Sequence, residues 1–437
     1  MSNAETLAIL GGEPLMTKPI QFSNEIGQEE MTAVQRVLEC GELSGFVASA
    51  DDLFWGGREV RALETEFKRH YDVRHALGFN SATTALHAAV AATGVGPGDE
   101  VIVAPYTMSA SSTAILFTGA VPVFADIESD TFGLDPQSVL ENITPYTKAI
   151  MTVNIFGHAS RLTALRKIAD EHGLVLIEDN AQAPDAMYQG AFAGTVGDIG
   201  IFSFNRHKVM QSGEGGVLVT NDDKFAEKAA FMRNHGEAVV GDMGVENIVN
   251  TVGLNYRMTE MEAAVALQQF KKLPRMNEAR IARANRLTEA LADVPGITPP
   301  KVEDDCRHVY YMYVMKYDAG ITGVPRDLFA KALNAEGFFA RAGYIQPTYL
   351  LPVYQHKICF GQDGFPFTAN LRNENLSYEA GICPTCERLQ DAEILMTMIQ
   401  QPPQTLEDME LFAAACNKIL SQKDVLLRHA AKLSEVA

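Results

Sequence analysis

From about residue 60 onward, short apolar runs alternate with stretches whose apolar positions recur at helical spacing. The runs are HALGF at 75, VIVAP at 101, VPVFAD at 121, AIMTVNIF at 149, LVLIED at 174, IGIFSF at 199 and GGVLVT at 215. Several are apolar without interruption, the pattern of strands buried on both faces. Helical stretches fall between many of them, at 81–94, 135–143, 161–172 and 223–234. This alternation predicts an α/β fold: a large domain with a mostly parallel, seven-stranded sheet flanked by helices, then a smaller C-terminal α/β domain. Residues 205–215, between the last two runs, carry no helical period. A loop bearing chemistry is expected there, because α/β sites gather in loops at the carboxyl edge of the sheet.

Thr259 and Glu262 stand at capping-box spacing and open a long helix expected to end at the Leu273–Pro274 break. A helix at 277–293, the runs HVYYMYVMKY at 308 and GFFARAGYIQP at 337, and a last helix from about 405 to 421 suggest the second layer. Residues 350–385, rich in Pro, Gly, aromatics and Asn, suggest an irregular lobe over a site. The expected organisation is an N-terminal arm and helix at 1–59, the large domain at 60–276 and the small domain at 277–437.

Charge narrows the partners. Against 55 Asp and Glu the 437 residues carry only 36 Lys and Arg, a formal net charge of −19. Such a surface repels phosphate backbones and anionic lipid, which argues against nucleic-acid and membrane-surface roles. An anionic substrate would have to be held by backbone N–H groups and a few basic side chains. Six cysteines are too sparse for a disulfide scaffold. The pair Cys383 and Cys386, in CPTC, has redox or zinc spacing, but no second closely spaced pair completes a zinc set, so no metal is expected. The 25 uncharged residues at 101–125 contain two prolines and six Ser/Thr, which fits buried strands around a helix better than a membrane span. The N-terminal residues lack the basic n-region of a signal peptide, and a cytoplasmic protein is expected.

Three segments could carry chemistry. In FNSATTALHAA, residues 79–89, a strand gives way to small hydroxyl residues and then to a helix start, an arrangement that offers free N–H groups and a positive dipole to an anion. A helix cap explains the same letters. In VLIEDNAQAPDA, residues 174–185, Asp179 falls just after an apolar strand, placed either to cap a helix or to face a cation as a buried carboxylate. In IFSFNRHKVMQSGEGGVLVT, residues 201–220, Lys208 sits in the irregular loop between two apolar strands, beside His207. A lysine held there has reason to lose its proton, and a neutral lysine can form an imine with a carbonyl. Anion nest, buried aspartate and loop lysine are together what pyridoxal 5′-phosphate (PLP) requires.

The order and spacing of these segments resemble the DegT/StrS-type sugar aminotransferases, within the aspartate aminotransferase fold superfamily. The resemblance runs from IGQEEMTAV at 26 through GVGPGDEVIV, IEDNAQA, FSFNRHKVMQSGEGG, MRNHGE and GLNYRMTEMEAAV to HVYYMY at 308. It implies that Lys208 is the Schiff-base lysine and the base that moves the proton. Asp179 would keep the pyridine nitrogen protonated, Gln182 would bond the phenolic oxygen, and Ala181 would pack beneath the ring. The N–H groups of Ala82 and Thr83 and the Ser203 hydroxyl would take the phosphate. Asn255 would reach the phosphate of the neighbouring subunit, so a homodimer with shared sites is implied. The Met258, Met261, Ala264 and Val265 stripe after it suits a subunit contact. Met108 stands where relatives often have an aromatic over the ring. Arg206, His207 and Tyr344 are candidate substrate contacts.

The implied activity is transfer of an amino group from glutamate or glutamine to a keto sugar, nucleotide-linked in the leading case, or to a ketocyclitol. The alternative is a sugar dehydratase of the same fold, in which histidine replaces the lysine; Lys208 argues for transamination. A DNA-binding regulator would need a basic recognition element, and none is present.

Overall fold

The computed structural model describes residues 6–20, 25–369 and 375–434. All seven apolar runs form strands of one sheet: β1 (His75–Phe79), β2 (Glu100–Val103), β3 (Val121–Phe124), β4 (Thr147–Val153), β5 (Val175–Asp179), β8 (Ile199–Ser203) and β9 (Gly216–Thr220). A short hairpin, β6 (Met187–Tyr188) and β7 (Ala191–Phe192), stands apart from it. The sheet order is β1-β9-β8-β5-β4-β2-β3. β9 runs antiparallel to both neighbours, whereas the pairs from β8 to β3 are parallel. The helices read from sequence occur at Ala82–Ala92, Pro136–Asn142, Leu162–His172 and Asp223–Arg233. The first is unusually rich in alanine, and its buried Ala85, Ala88 and Ala89 let it lie close against the Asp223–Arg233 helix.

A second sheet, ordered β10-β12-β14-β13, is antiparallel throughout: β10 (Ile297–Thr298), β12 (Tyr313–Tyr317), β13 (Arg341–Ala342) and β14 (Ile394–Thr397). The strand β11 (Cys306–Arg307) pairs instead with β6. Helices Arg326–Ala335 and Leu406–Ser421 cover the second sheet through Phe329, Leu333, Phe412 and Ile419. A further helix at Lys423–Ser434 was not anticipated.

Three expectations are corrected. The helix opened by the Thr259–Glu262 capping box does not end at Pro274; it runs unbroken from Glu260 to Leu291. Proline removes one helical hydrogen bond and crowds the carbonyl four residues back, at a cost of about 3 kcal/mol. Burial on both sides offsets that cost. Phe270 and Leu273 belong to one apolar cluster, and Ala284, Leu287 and Leu291 to another. The limit drawn between 276 and 277 thus falls inside one helix.

The second correction concerns residues 350–385. None of their described members lines the cavity that holds Lys208. They pack on the β3 side of the large sheet instead. Tyr378 Oη donates to Pro122 O at 2.8 Å, and the N–H groups of Thr385 and Cys386 donate to the Asp126 carboxylate at 2.8 and 3.0 Å. Cys383 and Cys386 are buried free thiols whose proton affinity burial pushes up. Third, two residues of the stripe expected to meet a partner subunit are covered within the chain. Met258 is fully buried, and Ala264 packs on Ala33 and Val37 of the chain's own Gln28–Cys40 helix. Among the described residues, no helix is long and apolar enough to cross a membrane.

Candidate active site

The parallel strands deliver their carboxyl ends to one edge of the large sheet, where a cavity of about 600 Å³ opens. Ser81, Ala82 and Thr83 follow β1, Val153 closes β4, Asp179 closes β5, Ser203 closes β8, and Lys208 lies in the loop between β8 and β9. All the candidate residues read from sequence line this cavity except Asn255.

The helix Ala82–Ala92 begins at the cavity wall. Ser81 is its cap, its hydroxyl accepting from Thr84 N at 3.1 Å. The first N–H groups of a helix lack intrahelical partners and carry the positive end of its dipole, so this wall favours an anion. Gly216 permits the approach. A Cβ there would stand 2.6 Å from Ala82 N, so any larger residue would push β9 off the start of the helix.

Asp179 is buried at the strand end. Its Oδ2 accepts from the Ser111 hydroxyl at 2.8 Å and its Oδ1 from Ala181 N at 3.1 Å. Burial raises its proton affinity, while the Ser111 hydroxyl, the Lys208 charge and the Ala181 N–H oppose the rise. The adjacent Glu178 points to the other face, as alternate residues of a strand must, and accepts from Gly194 N, Val196 N and Gly197 N. That carboxylate is spent on holding a loop. Gln182 is fixed at both ends: Oε1 accepts from Phe156 N at 2.9 Å and Nε2 donates to Tyr344 Oη at 3.2 Å.

Lys208 is carried by a loop tied back on itself, Lys208 N to Asn205 O at 2.8 Å and Arg206 N to Gly213 O at 3.0 Å. Gly213 and Gly215, with φ of 89° and 125°, occupy backbone conformations that side chains disfavour, which explains the glycines of this loop. Burial lowers the lysine to about 8, against the pull of Asp179. Its Nζ lies 4.9 Å from the centroid of the Tyr311 ring. A substantial fraction is therefore neutral, hence nucleophilic, near physiological pH.

The lip of the cavity is exposed. Met108 is 64% exposed there, and Arg206 and His207 stand beside it, with Arg206 Nε donating to His207 Nε2 at 3.3 Å. Tyr344 forms part of the inner wall. Asn255 lies outside its own chain's cavity, exposed, its Oδ1 accepting from Arg257 Nε at 2.9 Å. It does not cap the following helix, whose cap is Thr259. Ser111 and Tyr311 were not singled out from sequence. Ser111 is one of two adjacent serines with nothing local to separate them, and Tyr311 is buried in an apolar aromatic run.

Known proteins share this fold. Residues 27–394 match the DegT/DnrJ/EryC1/StrS aminotransferase family, and the chain belongs to that family. It is 36% identical over 321 residues to the GDP-perosamine synthase of Caulobacter vibrioides, covering 73% of this chain and 83% of that protein. It is 36% identical over 358 residues to the L-glutamine:2-deoxy-scyllo-inosose aminotransferase of Streptomyces kanamyceticus, covering 80% and 82%. The crystal structure of DesI with its TDP-sugar product superposes with a TM-score of 0.80 at 27% identity, over 98% of this chain and all of that one. The protein is an aminotransferase, and the family's enzymes are PLP-dependent.

Proposed function

We propose that this chain transfers the amino group of glutamate or glutamine to the keto carbon of a sugar, nucleotide-linked in the leading case, or of a ketocyclitol, and does so with PLP in the cavity that holds Lys208. The supporting observation is that a buried carboxylate and a lysine lowered to about 8 share that cavity with a helix N-terminus. The relatives' names supply the acceptor class, since they span nucleotide-linked sugars and a ketocyclitol. The expected setting is the cytoplasm, a reading that rests on the sparse cysteines.

The residues fit the cofactor. Gly216 lets β9 lie directly against the start of the helix, and Ala82, Thr83 and Ser203 line the cavity there, where Ala82 N, Thr83 N and Ser203 Oγ would face a phosphate. Asp179 would hold a proton on the ring nitrogen, Gln182 Nε2 would meet the phenolic oxygen, and Ala181 and Met108 would flank the ring. Bound there, PLP supplies an electron-withdrawing ring that delocalises the charge left when a substrate carbon loses its proton. Lys208 Nζ would take that proton from the substrate carbon and return it to the cofactor carbon on the far side of the shared nitrogen. Arg206, His207 and Tyr344 would contact the substrate. Asn255 would serve the phosphate of a partner subunit, a role supported by its exposure and by the exposed Ile248, Val249, Val252 and Leu254 just before it.

Borohydride reduction of the PLP-loaded protein, followed by peptide mapping, tests the reading. The expected result is one pyridoxyl adduct, on Lys208, absent from Lys208→Ala. An adduct on another lysine would sink the assignment. Screening keto sugars and ketocyclitols against the amine-loaded form then identifies the acceptor by return of the resting spectrum.

A further inference from the structure

We propose that Ser111 is a positioning residue for Asp179: its hydroxyl, donated to Oδ2 at 2.8 Å, fixes the plane of the carboxylate and keeps it ionised. The inference rests on the PLP reading, which makes Asp179 the partner of the ring nitrogen.

Three hydroxyl residues stand in a row at the start of the Ala110–Leu116 helix. A serine or threonine inside a helix commonly turns its hydroxyl back on a preceding carbonyl. Ser112 does so to Ser109 O at 3.0 Å and Thr113 to Ala110 O at 3.3 Å. Ser111 does not. It is fully buried, and its hydroxyl crosses to the end of β5 to reach a carboxylate 68 residues away in sequence. Ala181 N holds the other oxygen at 3.1 Å, so two donors from different segments fix the orientation of one carboxylate while leaving it further acceptor capacity.

The charge of Asp179 needs that support. Burial favours its neutral acid, and a neutral acid would give the ring nitrogen no charge-assisted bond. The titratable groups that face it are Lys208 and Tyr344. Lys208 supports the anion only while it is protonated, and its role requires it to be neutral for part of the cycle. Tyr344 carries no positive charge in either form. Ser111 has no proton to lose in the working range, so its contribution is constant through turnover.

The test compares Ser111→Ala, Ser111→Cys and Ser111→Thr, which remove the hydroxyl, replace it with a weak donor of similar size, and retain it. In cofactor-free protein labelled with 13C at the aspartate Cγ, with the signal assigned through Asp179→Asn, the carboxyl should bind its proton on the order of tenfold more tightly in Ser111→Ala, as expected for a lost hydrogen bond to a charged group. Ser111→Thr should restore the wild-type titration. In PLP-loaded protein, with loading equalised by the Lys208 adduct, the half-transamination rate constant at saturating donor should fall on the order of tenfold in Ser111→Ala. Ser111→Cys should fall between, and the donor KM should stay unchanged. If Ser111→Ala does not fold, Ser111→Cys against Ser111→Thr carries the comparison. Wild-type titration and rate in both hydroxyl-free variants would overturn the role. A wild-type chain that forms no adduct on Lys208 would overturn the cofactor reading instead, and the cofactor-free titration would then judge Ser111 separately.

Discussion

Replacing Gly216 with alanine should damage the site without touching any group that performs chemistry. The added Cβ would stand 2.6 Å from Ala82 N, 2.7 Å from Ala82 Cα and 2.9 Å from Phe202 O. Carbon at those distances is about 1 Å inside ordinary van der Waals separation. All three neighbours are backbone atoms, so no side chain can rotate away, and relief requires β9 and the Ala82–Ala92 helix to separate. Overpacking of this kind costs about 1–3 kcal/mol, and the relief moves the N–H groups meant for a phosphate. The variant should lose that stability in urea denaturation, and its affinity for PLP should fall on the order of tenfold, as for one misplaced hydrogen bond to a charged group. The control is Gly241→Ala, where a Cβ meets nothing within 4 Å and φ is not positive. Stability and PLP affinity equal to wild type in Gly216→Ala would refute the claim that glycine sets the approach of strand to helix.

The site and its surroundings support further expectations. Asp179→Asn should slow half-transamination by about two to three orders of magnitude, since removal of a preorganised charged contact in a dry site costs several kcal/mol, whereas Gln182→Ala should lose far less; equal rates for Asp179→Asn and wild type in a single-turnover assay would refute the role. Arg206→Ala should raise KM for a nucleotide-linked acceptor several-fold while leaving the donor half-reaction unchanged, and an unchanged acceptor KM would place Arg206 outside the substrate site. His308 is buried with its proton affinity pushed well below the ordinary value of 6.5 by burial and by His158, and its Nδ1 accepts from Tyr310 N at 3.0 Å. The unfolded chain therefore binds a proton near pH 6.5 that the folded chain refuses, and stability should fall as pH drops through that value and below. His308→Gln should flatten the slope of urea midpoint against pH by close to one proton; a slope identical to wild type would remove His308 as its source. Lys208→Ala and Asn255→Ala, both inactive, should complement partially after verified subunit exchange, and mixtures with no regained activity would exclude shared sites.

The large sheet was legible because continuous apolar runs leave a strand no other way to be buried, and turn residues marked where each run ended. Asp179 was legible for the same reason, since a charge at the end of an apolar strand is conspicuous, and Lys208 because it stands in a loop without helical period between two such strands. What escaped the reading depended on long-range contacts. Pro274 looks like a helix end in any window of sequence, and only burial on two clusters shows why the helix continues. β14, the ILMT at 394–397, lies centrally in the second sheet, but nothing around it signals a partner. Ser111 differs from Ser112 only in which face of a short helix it occupies. Met258 and Ala264 of the stripe are covered within the chain itself; periodicity specifies that a face is covered and not by what.

The unbroken helix through Pro274 has a consequence for how the chain comes apart. Its first half is buried with Phe67 and Phe204, and its second half with Phe329 and Phe412. Neither cluster can melt without exposing a stretch of helix whose backbone continues into the other. Halves joined by a loop could unfold in sequence, but halves that share a rod are obliged to do so together. Heating should give one sharp calorimetric transition, and a protease should find no cut near residue 276 that releases a folded fragment.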